Sequence, residues 1–241
     1  MSFTFKLKNA LLPQSDKFRE HWVAERLSKI KAGDKILDAG AGECYYQRYC
    51  DHLKYTSQDF GKYDGKGDRA GIQTGTRDSS GIDIVSDIVD IPVKSASFDA
   101  VLCVEVFEHI PRPLDALSEL SRVLKKGGTL ILTAPFTSLT HYSPFYFYSG
   151  FSENFYKENL PMHGFKIKQV YSYGNYFDGV SLELARTPLV IFREDKLLFL
   201  ILFLLFPLLL PAYVTLRVFS HLFPKTSSLS AFGVCIEAYK E

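Results

Sequence analysis

Cysteine is scarce in this chain of 241 residues: Cys44, Cys50, Cys103 and Cys235 lie scattered, with no pair at metal-ligand spacing. That excludes a paired-cysteine metal site, argues against a disulfide framework and points to reduced thiols in a cytosolic setting. An excess of charge of either sign is also missing. With 28 basic and 27 acidic residues the formal net charge is +1, so nothing marks a polyanion as partner and no nucleic acid is expected. Internal repeats are absent. The amino terminus, MSFTFKLKNALLPQSDKFRE, has no long apolar stretch, which argues against a cleaved secretory signal. What the chain does have is aromatic side chains, 15% of its residues and denser toward the end, together with one long apolar run.

The first 134 residues alternate between two patterns. Phe18, Trp22, Val23, Leu27 and Ile30 recur at helical spacing, with Ser15 as N-cap and Gly33 as stop. KILDAG (35–40) reads as a short buried strand ending in a glycine turn, and Tyr46, Tyr49, Cys50 and Leu53 fall on one helical face after it. YTSQDF, IDIVSDI, FDAVLCVEVF and TLILTA supply further strands. Between the last two, Pro113 opens a helix with Leu114, Leu117, Leu120 and Leu124 on one face, closed by KKGG. Strand and helix in alternation predict a parallel, doubly wound α/β sheet. GFKIKQVYSY and FGVCIEAYK read as two closing strands, and the apolar run lies between them. A glycine-rich loop from Gly61 to Gly81 carries six glycines; loops of that length inside a compact domain are usually functional or mobile.

The chemistry of the first half starts at ILDAGAGECYY. A strand, an acid and then Gly40-x-Gly42 at the start of a helix let backbone N–H groups approach a ligand closely. A dinucleotide fingerprint needs a third glycine where Tyr45 stands, which counts against NAD. Asp59 closes the second strand, where an acid in such sheets accepts hydrogen bonds from ribose hydroxyls.

At this point DIVSDIVDIPVKSASFDAV and VLCVEVFEHIPRPLDALSELSRVLKKGGTLILTAPF, with the glycine turn, resemble the class I S-adenosylmethionine-dependent methyltransferases, type 11-like, across residues 30–136. The resemblance implies a doubly wound, mostly parallel seven-stranded sheet with an apolar helical insertion before the last strand. It implies S-adenosyl-L-methionine as cofactor. Gly40 and Gly42 would line its methionine part and Asp38 would order that turn. Asp59 would hold the ribose, Asp87 would accept from the adenine amine beside Ile88, and Val104 would close the pocket. Cys44 stands where many members carry a further glycine.

Candidate catalytic groups follow from position. His109 ends EVFEHIP just past the fourth strand, on the acceptor side, and is chemically able to act as a general base; the duller reading is a histidine that orders its loop. Glu105, Glu108 and His109 spell E-x-x-E-H, similar to a magnesium-binding motif in ubiquinone-pathway and small-RNA 2′-O-methyltransferases, although the primary expectation is no metal. From Phe136 to Phe165 come ten aromatics that would cap the acceptor site, with His141 and Tyr142 as polar members able to face the acceptor. The resulting expectation is methyl transfer to an oxygen of a small-molecule, lipid-like or membrane-borne acceptor. The rivals are a tethered methyltransferase for a soluble glycan or small molecule, and a silent cofactor-binding subunit at a membrane.

Leu197 to Leu216 runs for twenty residues without a charge, enough for a bilayer core if helical. Pro207 and Pro211 interrupt it and leave Leu197–Phe206 and a second piece from Ala212 to about Phe223. Basic residues flank both ends, so orientation is not set by charge. FGVCIEAYK must return to the sheet, which favours a monotopic hairpin over Leu197–Phe223, at the cytoplasmic face of a membrane, over a single transmembrane helix; the duller reading is a soluble helical lid or dimer interface. The expected divisions are 15–175 for the methyltransferase domain, 176–230 for the insertion and 231–241 for the last strand.

Overall fold

The computed structural model describes residues 15–241; the first fourteen residues, and with them most of the amino-terminal stretch read above, lie outside the described residues. The chain divides into two units, Phe18–Tyr171 with Gly233–Glu241, and Ser172–Phe232 with the segment up to Lys17.

The larger unit holds the sheet. Its strands are β1 (Lys35–Ala39), β2 (Lys54–Asp59), β3 (Ile84–Val85), β4 (Phe98–Val104), β5 (Leu124–Pro135), β6 (Phe165–Tyr173) and β7 (Gly233–Lys240), in the order β3-β2-β1-β4-β5-β7-β6. The first five strands pair in parallel, and β7 is antiparallel to β5, with Leu132 opposite Ile236. This is the doubly wound α/β sheet expected from the sequence. Its central strands are buried on both faces, which is why they read as continuous apolar runs rather than alternating ones: Leu37, Val101, Leu102, Leu130, Ile131 and Ile236 are all fully buried. Helix α1 (Ser15–Leu27) buries Trp22, Val23 and Leu27, and α2 (Pro113–Val123) buries Leu117, Leu120 and Val123. Helix α3 (Glu153–Met162), capped by the Ser152 hydroxyl, adds Tyr156 and Leu160 to the core.

Three local expectations change. The helix expected after Gly42 is a 3-10 turn, Tyr45–Tyr49, because Cys44 takes a left-handed conformation (φ 56°) that breaks helical geometry at its start. KKGG does not close α2. It belongs to β5, which begins at Leu124. Leu114, placed on the buried face from its spacing, is exposed, and Leu124 lies in β5 rather than on the helix.

The smaller unit is a helical hairpin. Helix α4 (Tyr176–Glu194) opens with a capping box in which the Asn175 side chain accepts from the Asp178 N–H and the Asp178 carboxylate accepts from the Asn175 N–H. Asp195 caps α5 (Lys196–Leu202) by accepting from the Leu197 and Leu198 N–H groups. A 3-10 turn, Phe203–Leu208, contains Pro207, and α6 (Leu209–Leu222) follows. The break is therefore centred on Pro207. Pro211 falls in the first turn of α6, where a backbone donor has no helical partner to lose. The return path also differs from the expected one. The limb antiparallel to α6 is α4: Asn175 Nδ2 donates to the Ser220 carbonyl at 3.0 Å, and Phe177 packs edge-on against Phe219. Lys196–Leu222 is long and apolar enough to cross a membrane, and most of its side chains are exposed.

Candidate active site

The site lies at the carboxyl ends of the parallel strands, where ligands bind in open α/β sheets. Gly40 and Gly42 both take left-handed backbone (φ 79° and 59°). A Cβ on Gly40 would stand 2.5 Å from Val106 Cγ2, so glycine is required there for space as well as for conformation. The Gly40 and Ala41 N–H groups donate to the Gln58 carbonyl at 2.8 and 2.9 Å, which fastens the turn to the end of β2.

Asp59, nearly fully buried at the tip of β2, accepts from the Gly42 N–H (3.0 Å) at one oxygen and from the Gly61 N–H (2.9 Å) at the other. Arg77, from the glycine-rich loop, lies 3.4 Å from the same carboxylate and against Gly42. Oδ2 thus accepts from both Gly42 and Arg77, while Oδ1 keeps a second lone pair able to take a ribose hydroxyl. Asp38 is buried beneath the turn and accepts from the Tyr55 hydroxyl at 2.6 Å; burial pushes its carboxyl up to about 7. Asp87 is exposed after β3, with Ile88 buried beside it, and Val104 is half-buried at the end of β4. The structure thus brings Gly40, Gly42 and Asp59 together around one turn, with Asp38 below it. A cradle of left-handed glycines beside a buried, backbone-held carboxylate suits a cofactor with a ribose and a compact charged tail.

On the acceptor side, β4 leads into a 3-10 turn, Phe107–His109, that buries Phe107 and Glu108. His109 Nδ1 meets the Phe145 carbonyl at 2.5 Å, and His141 Nδ1 meets the Leu139 carbonyl at 2.8 Å. Their rings stand edge to face with centroids 4.7 Å apart. Glu108 Oε1 lies 3.6 Å from His109 Nε2 and 3.8 Å from His141 Nε2. Burial, then the neighbouring Glu105 charge, holds the Glu108 carboxyl well above its ordinary range; burial, then the facing His141, brings His109 down to about 4. Tyr142 stacks between His109 (5.1 Å) and Tyr63 (4.7 Å).

Glu105 does not join this group. It accepts from the Thr133 hydroxyl at 2.8 Å and pairs with Arg19 at 3.1 Å. Two further participants, Arg77 and Tyr63, come from the glycine-rich loop. That loop is ordered by short-range hydrogen bonds and by the aromatic segment. The buried Tyr63 hydroxyl donates to the Gln73 side-chain oxygen at 2.7 Å, and the Ile72 N–H donates to the Thr140 carbonyl at 2.9 Å. The only hint of this in the sequence is the number of glycines. Gly67 and Gly71, for instance, approach the Ser143 and Thr140 carbonyls too closely for any side chain.

Residues 37–132 match the family described as "Methyltransferase domain". A protein of Methanocaldococcus jannaschii is 36% identical over 95 residues, 39% of this chain and 41% of that protein. A ubiquinone biosynthesis O-methyltransferase of Xanthomonas oryzae pv. oryzae is 30% identical over 118 residues, 48% of each chain. The chain thus spans less than half the length of these curated relatives. Among solved structures, phosphoethanolamine N-methyltransferase 2 of Haemonchus contortus in complex with S-adenosyl-L-methionine superposes with a TM-score of 0.54 over 95% of this chain and 53% of that one, at 18% identity, a likeness of fold. Residues 37–132 carry a class I S-adenosylmethionine-dependent methyltransferase domain, and S-adenosylmethionine is its cofactor.

Proposed function

We propose that this S-adenosylmethionine-dependent methyltransferase transfers a methyl group to an oxygen of a lipid-like acceptor at a membrane surface. The cofactor supplies a methyl group on a sulfonium, whose sulfur keeps the bond pair when the methyl leaves. What the chain's own residues do is hold and orient. Asp59 would take the ribose hydroxyls, Gly40 and Gly42 would line the methionine part with Asp38 ordering their turn, and Asp87 with Ile88 would take the adenine. Val104 would close the pocket. Displacement at a methyl needs the acceptor in line, so positioning carries much of the rate. His109, His141 and Tyr142 form a polar wall one side chain away from Asp59: Arg77 pairs with Asp59 and lies 5.7 Å from the Tyr142 ring. The aromatic segment from Phe136 to Phe151 surrounds that wall, which suits an acceptor with an apolar body and one reactive polar end.

The observation that carries the membrane part is the exposed apolar surface of α5, its following turn and α6. Leu197, Leu200, Ile201, Leu204, Leu208 and Leu222 all stand open, with Leu204 81% exposed. A contiguous patch of this kind marks an interaction with something apolar. The hairpin leaves at Asn175 and is back beside it at Ser220, and β6 and β7 are neighbours in one sheet. A single crossing would separate those strands. This supports a hairpin lying in one leaflet at the cytoplasmic face.

The test is methyl transfer from radiolabelled S-adenosylmethionine into membrane extract. Label in the lipid phase is the expected result. Label only in the aqueous phase would replace the lipid-like acceptor with a soluble one, and no label despite measured cofactor binding would make the chain a silent subunit.

A further inference from the structure

The two acceptor-side histidines share an arrangement that their sequence positions do not suggest. A carbonyl only accepts, so the ring nitrogen facing it carries the hydrogen. His109 Nδ1 therefore donates to Phe145 and His141 Nδ1 donates to Leu139. That leaves each neutral ring with a bare lone pair on Nε2, and both Nε2 atoms point at Glu108 Oε1. The separations of 3.6 and 3.8 Å are too long for hydrogen bonds. Glu108 is 1% exposed, and its other oxygen, Oε2, has no hydrogen-bond partner among the described residues. Three potential metal ligands, all within 4.8 Å of one another, thus converge, and neither imidazole carries a hydrogen on the nitrogen that faces Glu108.

We propose that Glu108, His109 and His141 form a binding site for a divalent first-row transition-metal cation, with Glu105 outside the ligand set. Bonds of about 2.0–2.2 Å to nitrogen and oxygen fit between atoms at these separations after a small closing of the side chains. The backbone carbonyls behind both rings are the outer partners that metal-bound histidines regularly have; they fix the tautomer and aim the second nitrogen. Two imidazoles and one carboxylate favour manganese, iron, cobalt or zinc over magnesium, which prefers an all-oxygen shell.

Two separate loops hold the geometry. His109 sits on the rigid exit of β4. His141 is fixed by a parallel bridge to Ile72, reinforced by the Tyr142 N–H donating to the Ile72 carbonyl at 3.0 Å. Tyr142, stacked on His109, closes one side.

Three protein ligands leave positions open for an acceptor oxygen. The cation's catalytic role rests on the oxygen-acceptor reading above; its binding does not. An acceptor hydroxyl seated on the open face would give its proton to water more readily. Its oxygen lone pair would then form the new O–C bond as the S–C bond breaks, with that bond pair remaining on sulfur.

Titration of tag-free full-length protein with Co²⁺, followed by visible absorption, tests the site. One Co²⁺ per chain is expected, with the ligand-field bands of nitrogen coordination. Glu108→Gln and His141→Ala should each weaken Co²⁺ by about 10-fold or more, while Glu105→Gln should stay within about 2-fold. Circular dichroism and S-adenosylmethionine titration check that each variant is folded. No saturable Co²⁺ binding in wild type overturns the site, as does unchanged binding in a folded Glu108→Gln or His141→Ala. Loss in Glu105→Gln overturns the ligand set. The titration needs no acceptor, so labelled lipid without Co²⁺ binding removes the cation and keeps the oxygen-acceptor reading, and Co²⁺ binding without labelled lipid does the reverse.

Discussion

The Tyr55 hydroxyl donates to Asp38 Oδ2 at 2.6 Å beneath the glycine turn, across the β1–β2 pair. This bond stabilises the buried carboxyl without removing the penalty of burying its charge, and the carboxyl titrates at about 7 against 3.8 in the open chain. The folded chain therefore keeps a proton that the unfolded chain releases between those two values. Asp38 lowers stability progressively as pH rises through that window, by up to ~4 kcal/mol. Asp38→Asn has no charge to bury. Subtracting its denaturant midpoints from those of wild type between pH 4 and 7 should isolate this decline, and a flat difference would mean that Asp38 ionises freely in the fold.

Asp59 fastens the glycine turn and is the proposed ribose acceptor. Asp59→Ala removes the acceptor of the Gly42 and Gly61 N–H groups and, with it, the proposed acceptor of the ribose hydroxyls. Affinity for S-adenosylmethionine should fall by roughly 1.5–3 kcal/mol. Asp87→Ala should lose less, because the exposed carboxylate has the adenine amine alone as its proposed partner. Calorimetry of the two variants side by side gives the order; unchanged affinity in Asp59→Ala would remove it from the site.

Gly40→Ala combines a left-handed backbone with a clash against Val106. The conformational part alone is ~1–3 kcal/mol. Thermal unfolding should show the loss, and Gly40→Ala with Val106→Ala should recover only the steric share. Full recovery in the double variant would show that the positive φ carries no penalty.

In the hairpin, Arg217 pairs with Asp178, which also accepts from the Ser220 hydroxyl at 2.5 Å. Asp178→Ala strands a guanidinium that is only 12% exposed. The helical unit should lose up to ~3 kcal/mol, below the full range for a completely buried pair, and Arg217→Met on that background should restore part of it. Limited proteolysis within residues 176–230 reads the change locally.

Leu204→Asp and Leu208→Asp alter side chains that pack on little, so unfolding midpoints should move by no more than ~0.5 kcal/mol. Binding to sedimented phospholipid vesicles should fall sharply. Equal sedimentation of the variants and wild type would remove the apolar face as the attachment surface.

The sequence alone determined the sheet and the glycine turn beside Asp59. KILDAG, FDAVLCV and TLILTA are apolar on both faces because β1, β4 and β5 are covered on both sides, and that pattern is local. Gly40, Gly42 and Asp59 were legible for the same reason, since a strand end and the turn after it are set by neighbours in the chain. Tertiary structure decided what depends on distant partners. Cys44 in a left-handed conformation turns an expected helix into a 3-10 turn. Pro211 reads as a second interruption but is accommodated in the first turn of α6. α4, rather than Leu197–Phe206, is the limb that returns against α6, because Asn175 and Asp178 find Ser220 and Arg217 some forty residues later. Glu105 and Glu108 are three residues apart and look equivalent in E-x-x-E-H. Glu105, at a positive φ of 53°, is drawn to Thr133 and Arg19, while Glu108 turns inward to face His141, which arrives on a loop fixed by Ile72. Spacing along a chain records which residues share a face; which side chains meet across a fold depends on where other segments place their backbone.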